Sequence, residues 1–237
     1  MGTAFHGWQR QSNADRTVQA LLEGALATVA GAPVTAVAAG RTDAGVHADG
    51  QVVHFDLTDA REPDRLRAAV NALLPPDARV LRVAAAAPSF HARRDALWKE
   101  YLYRWSRAEV ISPRDAPFVA PLAPSADPSL IAAAARDLPG RRDFGVFAVR
   151  HPAGAPAVRS LLAVEVSEEG DEIRVRMRGE GFLRGMVRAI CGVLADIGRG
   201  KAPPDRIAAL LASRDRSLLR PKAPARGLTL VRVEYRG

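Results

Sequence analysis

The sequence predicts an α+β fold in which helices pack on one face of a largely antiparallel sheet. Apolar residues recur at helical spacing in several segments, and these segments are interleaved with shorter ones in which apolar and polar residues alternate as in strands. Two alternating segments, 161–167 and 172–178, are separated by a short Glu-Glu-Gly-Asp stretch, which predicts a hairpin. Helices interleaved with hairpin-connected strands are typical of the α+β class.

The N-terminal part of the chain shows two amphipathic helices and several short strands. Residues 16–29 carry apolar side chains at helical spacing. Residues 63–74 do the same, and Pro75 and Pro76 end this second helix. Alternating segments predict short strands at 34–38, 51–57 and 80–84.

A longer strand is predicted at 98–105, where Tyr101, Tyr103 and Trp105 alternate onto one face. For Tyr103 and Trp105 we expect packing inside the sheet core. The following stretch, 106–127, is rich in Pro and charged residues and is typical of a linker. We therefore expect an N-terminal half, a linker and a C-terminal half, at 1–107, 108–127 and 128–237.

The C-terminal part carries the longest apolar helix of the sequence. Residues 182–197 place apolar side chains on a continuous stripe, and Arg184 and Arg188 project from the other side. The remaining patterns predict helices at 128–138 and 205–211, strands at 142–149 and 228–235, and the hairpin described above.

The charge of the chain favours a polyanionic partner. Its 237 residues include 34 Lys and Arg against 26 Asp and Glu, a net charge of +8. The isoelectric point is near 10.6. No basic amphipathic helix with bulky apolar anchors is present, so we expect nucleic acid rather than a membrane as the partner.

Cysteine and histidine usage argues against disulfides and metal sites. The single Cys191 rules out an intrachain disulfide. The histidines are scattered without the spacing of a helical metal site; they are His6, His47, His54, His91 and His151. Since neither a signal peptide nor a transmembrane run of about 20 apolar residues is found, we expect a cytoplasmic protein.

The stretch 40–56, Gly-Arg-Thr-Asp-Ala-Gly-Val-His-Ala-Asp-Gly-Gln-Val-Val-His-Phe-Asp, contains the candidate reactive group. Asp43 lies between Gly40 and Gly45, which permit a sharp turn and close approach of a ligand, and a strand pattern follows. A carboxylate on a short loop that a strand anchors is a common placement for a reactive side chain. Spacing alone is equally compatible with an Asx turn, in which Asp43 accepts backbone hydrogen bonds.

This stretch closely resembles the active-site motif of the tRNA pseudouridine synthase A (TruA) family. The resemblance continues in four other blocks, in the same order along the chain. They are Gly7-Trp8-Gln9-x-Gln11, Phe90-His91-Ala92-Arg93 with Lys99-x-Tyr101-x-Tyr103, Met186-Val187-Arg188, and Ala223-Pro224-Ala225-x-Gly227-Leu228. In the family a β-strand precedes the first block. Because this strand is missing from the sequence, we expect either that the start site was assigned too late or that the sheet lacks one strand.

The resemblance implies the pseudouridine synthase fold, two ferredoxin-like halves that share a central, mainly antiparallel sheet with a cleft between them. It also implies the roles of four residues. Asp43 matches the catalytic nucleophile, and Arg188 matches the arginine that pairs with it. Tyr101 matches the tyrosine that contacts the uracil, and Arg41 matches the arginine that supports the extruded nucleotide.

The implied reaction is the isomerisation of uridine to pseudouridine, without cofactor or metal, in the anticodon stem-loop of tRNAs at positions 38–40. The carboxylate attacks either the ribose C1′ or the uracil C6, and the sequence leaves both routes open. Members of the family act as homodimers.

Two other functions remain compatible with the sequence. A non-catalytic RNA-binding protein would account for the charge but would leave Asp43, Tyr101 and Arg188 without a purpose. A pseudouridine synthase recruited to a different uridine substrate would keep these residues. Turnover of small uridine compounds but not of tRNA would distinguish the second alternative.

Overall fold

The computed structural model describes residues 1–14, 16–59, 61–149, 152, 154–215, 217, 219 and 221–236, so His151 lies outside the described residues. Within these ranges the strands are β1 (Val37–Ala38), β2 (His47–Ala48), β3 (Val53–His54), β4 (Trp98–Ser106), β5 (Ala120–Pro121), β6 (Gly140–Asp143), β7 (Val158–Glu169), β8 (Glu172–Gly179) and β9 (Leu228–Glu234). The helices are α1 (Val18–Ala30), α2 (Pro63–Leu73), α3 (Pro128–Ala135), α4 (Met186–Gly198) and α5 (Arg206–Ser213).

The central sheet has the strand order β2, β9, β4, β8, β7, β6, and β5 lies beside β4. The pairs β4–β8, β4–β9, β6–β7 and β7–β8 are antiparallel. The short strands β2 and β5 pair in parallel with β9 and β4. A mainly antiparallel sheet with helices confirms the predicted α+β class, and β7 and β8 confirm the predicted hairpin.

Apolar side chains of the described residues form two hydrophobic cores. The larger one contains Tyr103 and Trp105 of β4 together with apolar residues of α3, α4 and α5. The smaller one contains Trp8, Leu26 and Val70 and lies around α1, α2 and the β1–β3 pair. Among the described helices, none is long and apolar enough to cross a membrane.

Strand β4 joins the first half of the chain to two strands of the second half. It is hydrogen-bonded along one edge to β8 and along the other to β9, although these strands are far away in sequence. The predicted linker contains β5, whose Ala120 lies opposite Trp105 of β4. The predicted boundaries at residues 107 and 128 stay a prediction.

The predicted strand at 80–84 is wrong. The side-chain oxygen of Asn71 accepts a hydrogen bond from the Val80 N–H at 2.8 Å, and the Asn71 amide donates to the Val80 carbonyl at 2.8 Å. A side chain of α2 therefore takes the hydrogen bonds that a neighbouring strand would make. Leu81 is 76% exposed, so the apolar alternation does not reflect burial.

The strand predicted at 142–149 is only partly present. β6 ends at Asp143, and a 3₁₀ turn follows at Gly145–Phe147. The Asp143 carboxylate accepts a hydrogen bond from the Gly145 N–H at 2.9 Å, which turns the chain at this point. Val146 and Phe147 are nevertheless buried, so the apolar run fills the core without pairing in the sheet.

Helix α4 begins four residues later than the sequence predicts. Gly185 immediately precedes it in the left-handed conformation (φ 71°), which keeps Phe182 and Arg184 outside the helix. Most of α4 is buried, not only one stripe. The reason is that segment 221–223 covers the side opposite the core: the Ala223 N–H donates to the Arg188 carbonyl at 2.9 Å.

Gly192 of α4 permits this close approach. A Cβ added at Gly192 would lie 2.5 Å from the carbonyl oxygen of Pro221. We expect Gly192→Ala to lower the free energy of unfolding, measured in urea, by about 1–3 kcal/mol, the usual effect of overpacking.

Gly24, which lies inside α1, provides the matched control. It is exposed, and an added Cβ there would meet nothing within 4 Å. Gly24→Ala should therefore raise the free energy of unfolding by about 0.5–1 kcal/mol through helix propensity alone. An equal gain at Gly192 would contradict the close packing of α4 on segment 221–223.

Candidate active site

A cleft of about 910 Å³ opens between the Asp43 loop, the start of β4 and the start of α4. Asp43, Tyr101, Arg188 and Arg41 all line it, so the structure brings the four predicted site residues to one cavity. Among the described residues that line it, Asp43 provides the one carboxylate. The cationic side chains of the lining are Arg41, Arg93, Lys99, Arg184, Arg188 and Lys222.

The Asp43 loop is a tight turn, as the sequence predicts. The Val46 N–H donates to the Asp43 carbonyl at 3.1 Å, and Gly45 has a φ of 77°. The N-terminal segment packs directly on this turn, because the Trp8 N–H donates to the Thr42 carbonyl at 3.1 Å. A Cβ added at Gly7 would lie 2.7 Å from the same carbonyl oxygen, so only a glycine fits there.

Two side chains hold the ends of the loop. The Gln51 amide donates to the Gly40 carbonyl at 2.7 Å, which fixes the residue that precedes Arg41. On the other side, His47 Nδ1 accepts from the Gly2 N–H at 3.0 Å, so its Nε2 carries the proton and donates to the Pro117 carbonyl at 2.8 Å. Burial lowers the pKa of His47, which keeps this imidazole neutral.

The Asp43 carboxylate forms an ion pair with Arg188. Nη1 of Arg188 lies 3.0 Å from Oδ2 of Asp43, and the two side chains are 15% and 23% exposed. In the part of the chain that the structure describes, the carboxylate is hydrogen-bonded to Arg188 rather than to a backbone N–H of its own loop, as an Asx turn would require.

Arg188 is itself held in place by the backbone. Its Nε donates to the Ala223 carbonyl at 2.9 Å. A guanidinium group presents several donors in one plane, so it binds the carboxylate and this carbonyl at the same time. Arg188 therefore points a fixed positive charge at Asp43.

Tyr101 lies on the floor of the cleft and is 7% exposed. Its ring contacts Phe182 edge to face, with 4.9 Å between the ring centroids. Burial, and then the negative charge of Asp43, raise the pKa of Tyr101 far above its ordinary value. The phenol is therefore neutral at physiological pH and keeps an O–H that can donate a hydrogen bond.

Arg41 occupies an exposed position on the loop beside Asp43 and lines the same cleft. Its neighbour Gly40 lies close to β4: a Cβ added there would be 3.7 Å from the hydroxyl oxygen of Tyr101. Arg41 is therefore the next residue in the chain after one that lies against Tyr101.

Three features of the site were not predicted from the sequence. Phe182 was assigned to the helix, although Gly181 and Gly185 on either side signal a break that could have excluded it. Lys99 lines the cleft and lies two residues before Tyr101. The alternation of side chains along a strand could therefore have placed both residues on the same face. Ala223 acts through its backbone, for which no sequence signal exists.

The described residues contain no group of three or more His, Cys, Asp or Glu side chains placed to hold a metal ion. Cys191 is buried in α4, and burial raises the pKa of its thiol well above the ordinary value. The chemistry available in the cleft is therefore that of a carboxylate, a phenol and several cations.

Comparison with known proteins identifies the family of this chain. The family model described as tRNA pseudouridine synthase matches residues 1–94 and 134–236. tRNA pseudouridine synthase A of Thermus thermophilus is 41% identical over 99% of this chain and 93% of its own length. The protein of the same name from Methylobacterium nodulans is 42% identical over 99% of this chain and 92% of its own length. The resemblance to tRNA pseudouridine synthase A is thereby confirmed, and the chain belongs to the tRNA pseudouridine synthase family.

Proposed function

We propose that this protein isomerises uridine to pseudouridine in tRNA. In this reaction the bond between N1 and C1′ breaks and a bond between C5 and C1′ forms, while C5 loses a proton and N1 gains one. The reaction is redox-neutral and needs no cofactor. The observation that carries the proposal is the Asp43–Arg188 ion pair, at 3.0 Å, inside a cleft whose other charged lining residues, among those described, are cations.

Asp43 acts as the nucleophile in this proposal. Attack on the ribose C1′ and attack on the uracil C6 both require an ionised carboxylate. Arg188 stabilises this negative charge in a partly desolvated cleft and, through its hydrogen bond to Ala223, orients the carboxylate. Arg188 fixes the direction of the Asp43 carboxylate as well as stabilising its charge, because its guanidinium group binds both acceptors in one plane.

Tyr101 and Arg41 bind the extruded nucleotide. A base inside a stem cannot reach Asp43, so the target nucleotide is flipped out at a cost of a few kcal/mol. Unstacked bases bind to aromatic rings and arginine planes in RNA-binding proteins. Tyr101, on the cleft floor, contacts the uracil, and Arg41, exposed at the rim, supports the nucleotide outside the stack.

The wider substrate is the anticodon stem-loop of tRNA, at positions 38–40. This assignment is supported by the near-complete alignment with relatives named tRNA pseudouridine synthase A. The net charge of +8 suits a phosphate-rich ligand, so RNA affinity should fall steeply as the salt concentration rises. As part of the proposal, the enzyme is a cytoplasmic homodimer.

A tRNA transcript with uridine at positions 38, 39 and 40 tests the substrate directly. We expect pseudouridine at these positions after incubation with the protein, detected by carbodiimide modification and primer extension. In the control transcript the three uridines are replaced by cytidine in re-paired stems, and we expect the modification to be lost.

The alternatives give different results in the same experiment. A non-catalytic RNA-binding protein would bind the transcript without forming product. A synthase recruited to another substrate would convert uridine or uridine monophosphate and leave the transcript unchanged. Either result would refute the proposed activity.

Arg188→Lys tests whether the geometry of the ion pair matters beyond its charge. The lysine keeps a positive charge but cannot bind both Asp43 and the Ala223 carbonyl through one planar group. We expect kcat to fall roughly 10- to 100-fold with little change in KM, because a displacement of about 1 Å has an effect on the order of 100-fold. Single-turnover kinetics on the tRNA transcript would measure it.

The matched control is Arg199→Lys. Arg199 follows the C-terminal end of α4 and forms an ion pair with Asp196 at 3.3 Å, away from the residues that line the cleft. Its replacement should leave kcat within about twofold, because lysine keeps the positive charge beside Asp196 and the pair lies outside the cleft lining. An Arg188→Lys enzyme as active as this control would contradict the role of Arg188.

A further inference from the structure

Lys99 is a buried cation near the start of β4, the strand that carries Tyr101. It is 9% exposed, and it lies on the same face of β4 as Tyr101, Tyr103 and Trp105. Tyr103 and Trp105 point into the core, Tyr101 forms the floor of the cleft, and Lys99 is the next side chain in this row. The strand positions it firmly, because Lys99 pairs with Gly179 of β8 on one side and with Val233 of β9 on the other.

The Lys99 side chain lines the cleft beside Tyr101. A Cβ added at Gly40 would lie 3.7 Å from Cδ of Lys99 and 3.7 Å from the hydroxyl oxygen of Tyr101. The aliphatic stem thus extends along Gly40, next to the loop that carries Arg41 and Asp43. A larger residue at position 40 would occupy this space.

In the described ranges, Lys99 has no carboxylate partner. The charged group that acts on it is Arg93, another cation, and burial together with this neighbour lowers the pKa of Lys99. A buried cation without a counter-ion costs free energy in the unliganded protein. The two positive charges line one cleft and form a local excess that an anion from outside the protein can neutralise.

Arg93 is exposed, but the backbone that carries it is fixed. Its own N–H donates to Nδ1 of His91 at 3.1 Å. The preceding residue, Ala92, is held by Nδ1 of His54 at 3.1 Å and by the hydroxyl of Tyr235 at 2.6 Å. Arg93 therefore extends from a rigid turn into the same cleft as Lys99.

We propose that Lys99 and Arg93 form a binding site for one backbone phosphate of the RNA, next to the nucleotide whose base contacts Tyr101. The inference rests on the proposed function and names a part of the substrate that this site binds. Lys99 and Tyr101 are two residues apart on one strand, about 7 Å. In a nucleotide one sugar lies between the base and the phosphate. The distance between base and phosphate is therefore similar to the distance between Tyr101 and Lys99. Charge-assisted hydrogen bonds from two cations suit a phosphodiester oxygen.

The test uses anticodon stem-loop RNAs, each with a single neutral methylphosphonate linkage near the target uridine. For the wild-type protein we expect one linkage position at which the dissociation constant rises by roughly tenfold, the usual weight of a hydrogen bond between charged groups. Lys99→Gln should weaken binding of the unmodified RNA by a similar factor. In this variant the neutral linkage at that position should have a smaller effect than in the wild type, because only Arg93 still contacts the phosphate.

Lys201→Gln is the matched control for loss of a positive charge. Lys201 is exposed after α4 and does not line the cleft. This variant should show the full effect of the neutral linkage, as the wild type does. Independent, multiplicative effects of Lys99→Gln and of every neutral linkage would overturn the proposed phosphate site.

Lys99→Met separates binding from folding. Methionine keeps the length of the stem but removes a buried charge and its repulsion by Arg93, so the melting temperature should stay the same or rise while RNA binding weakens. The slope of log affinity against log salt should become less negative by about one unit. A lower melting temperature would contradict the proposal, because it would show that Lys99 stabilises the fold.

Binding and turnover are measured on the same RNAs, so that the two proposals can fail separately. Coupled binding effects without pseudouridine would refute the proposed activity and support the phosphate site. Normal turnover without coupling would refute the phosphate site alone. Absence of RNA binding by the wild-type protein would refute both.

Discussion

The ion pair between Asp43 and Arg188 joins two parts of the chain that are 145 residues apart, and the arrangement of the cleft depends on it. An arginine that is 15% exposed needs a counter-ion, and a carboxylate that is 23% exposed needs a hydrogen-bond donor. One contact meets both requirements. It needs α4 to lie close to segment 221–223, which Gly192 permits, and it needs the Asp43 loop to lie close to residues 5–8, which Gly7 permits.

The same contact explains how a common fold can carry this chemistry. The central sheet supplies rigidity: β4 is paired along both edges and presents, in a row, core aromatic residues, Tyr101 and Lys99. A loop beside the sheet carries Arg41 and Asp43. Hydrogen bonds of the Gln51 and His47 side chains and of the N-terminal backbone hold this loop in place. A carboxylate, a phenol and a set of cations are thus placed around one cavity without any metal-binding cluster among the described residues.

The four site residues were predicted from the family resemblance, which is longest in the unbroken run around Asp43 and continues in the segments that form β4 and α4. The fold class followed from the alternation of helical and strand spacing, and the hairpin from its short turn. Other features depend on partners that a pattern does not contain. The segment 80–84 alternates like a strand, yet Asn71 takes its hydrogen bonds. Phe182 matches a helical stripe, yet the left-handed Gly185 makes the helix begin only at Met186. Ala223 holds Arg188 through its backbone carbonyl and N–H groups alone, so only the three-dimensional structure shows this contact.

The most direct measurement is tritium release from tRNA labelled at uracil C5, with wild-type protein and with Asp43→Asn. The C5 hydrogen must leave whenever pseudouridine forms. Asparagine has nearly the same shape as aspartate, so the variant should fold and bind tRNA nearly as well as the wild type. We expect release by the wild type and none by the variant. Release by Asp43→Asn at a rate close to that of the wild type would contradict the assignment of Asp43 as the nucleophile.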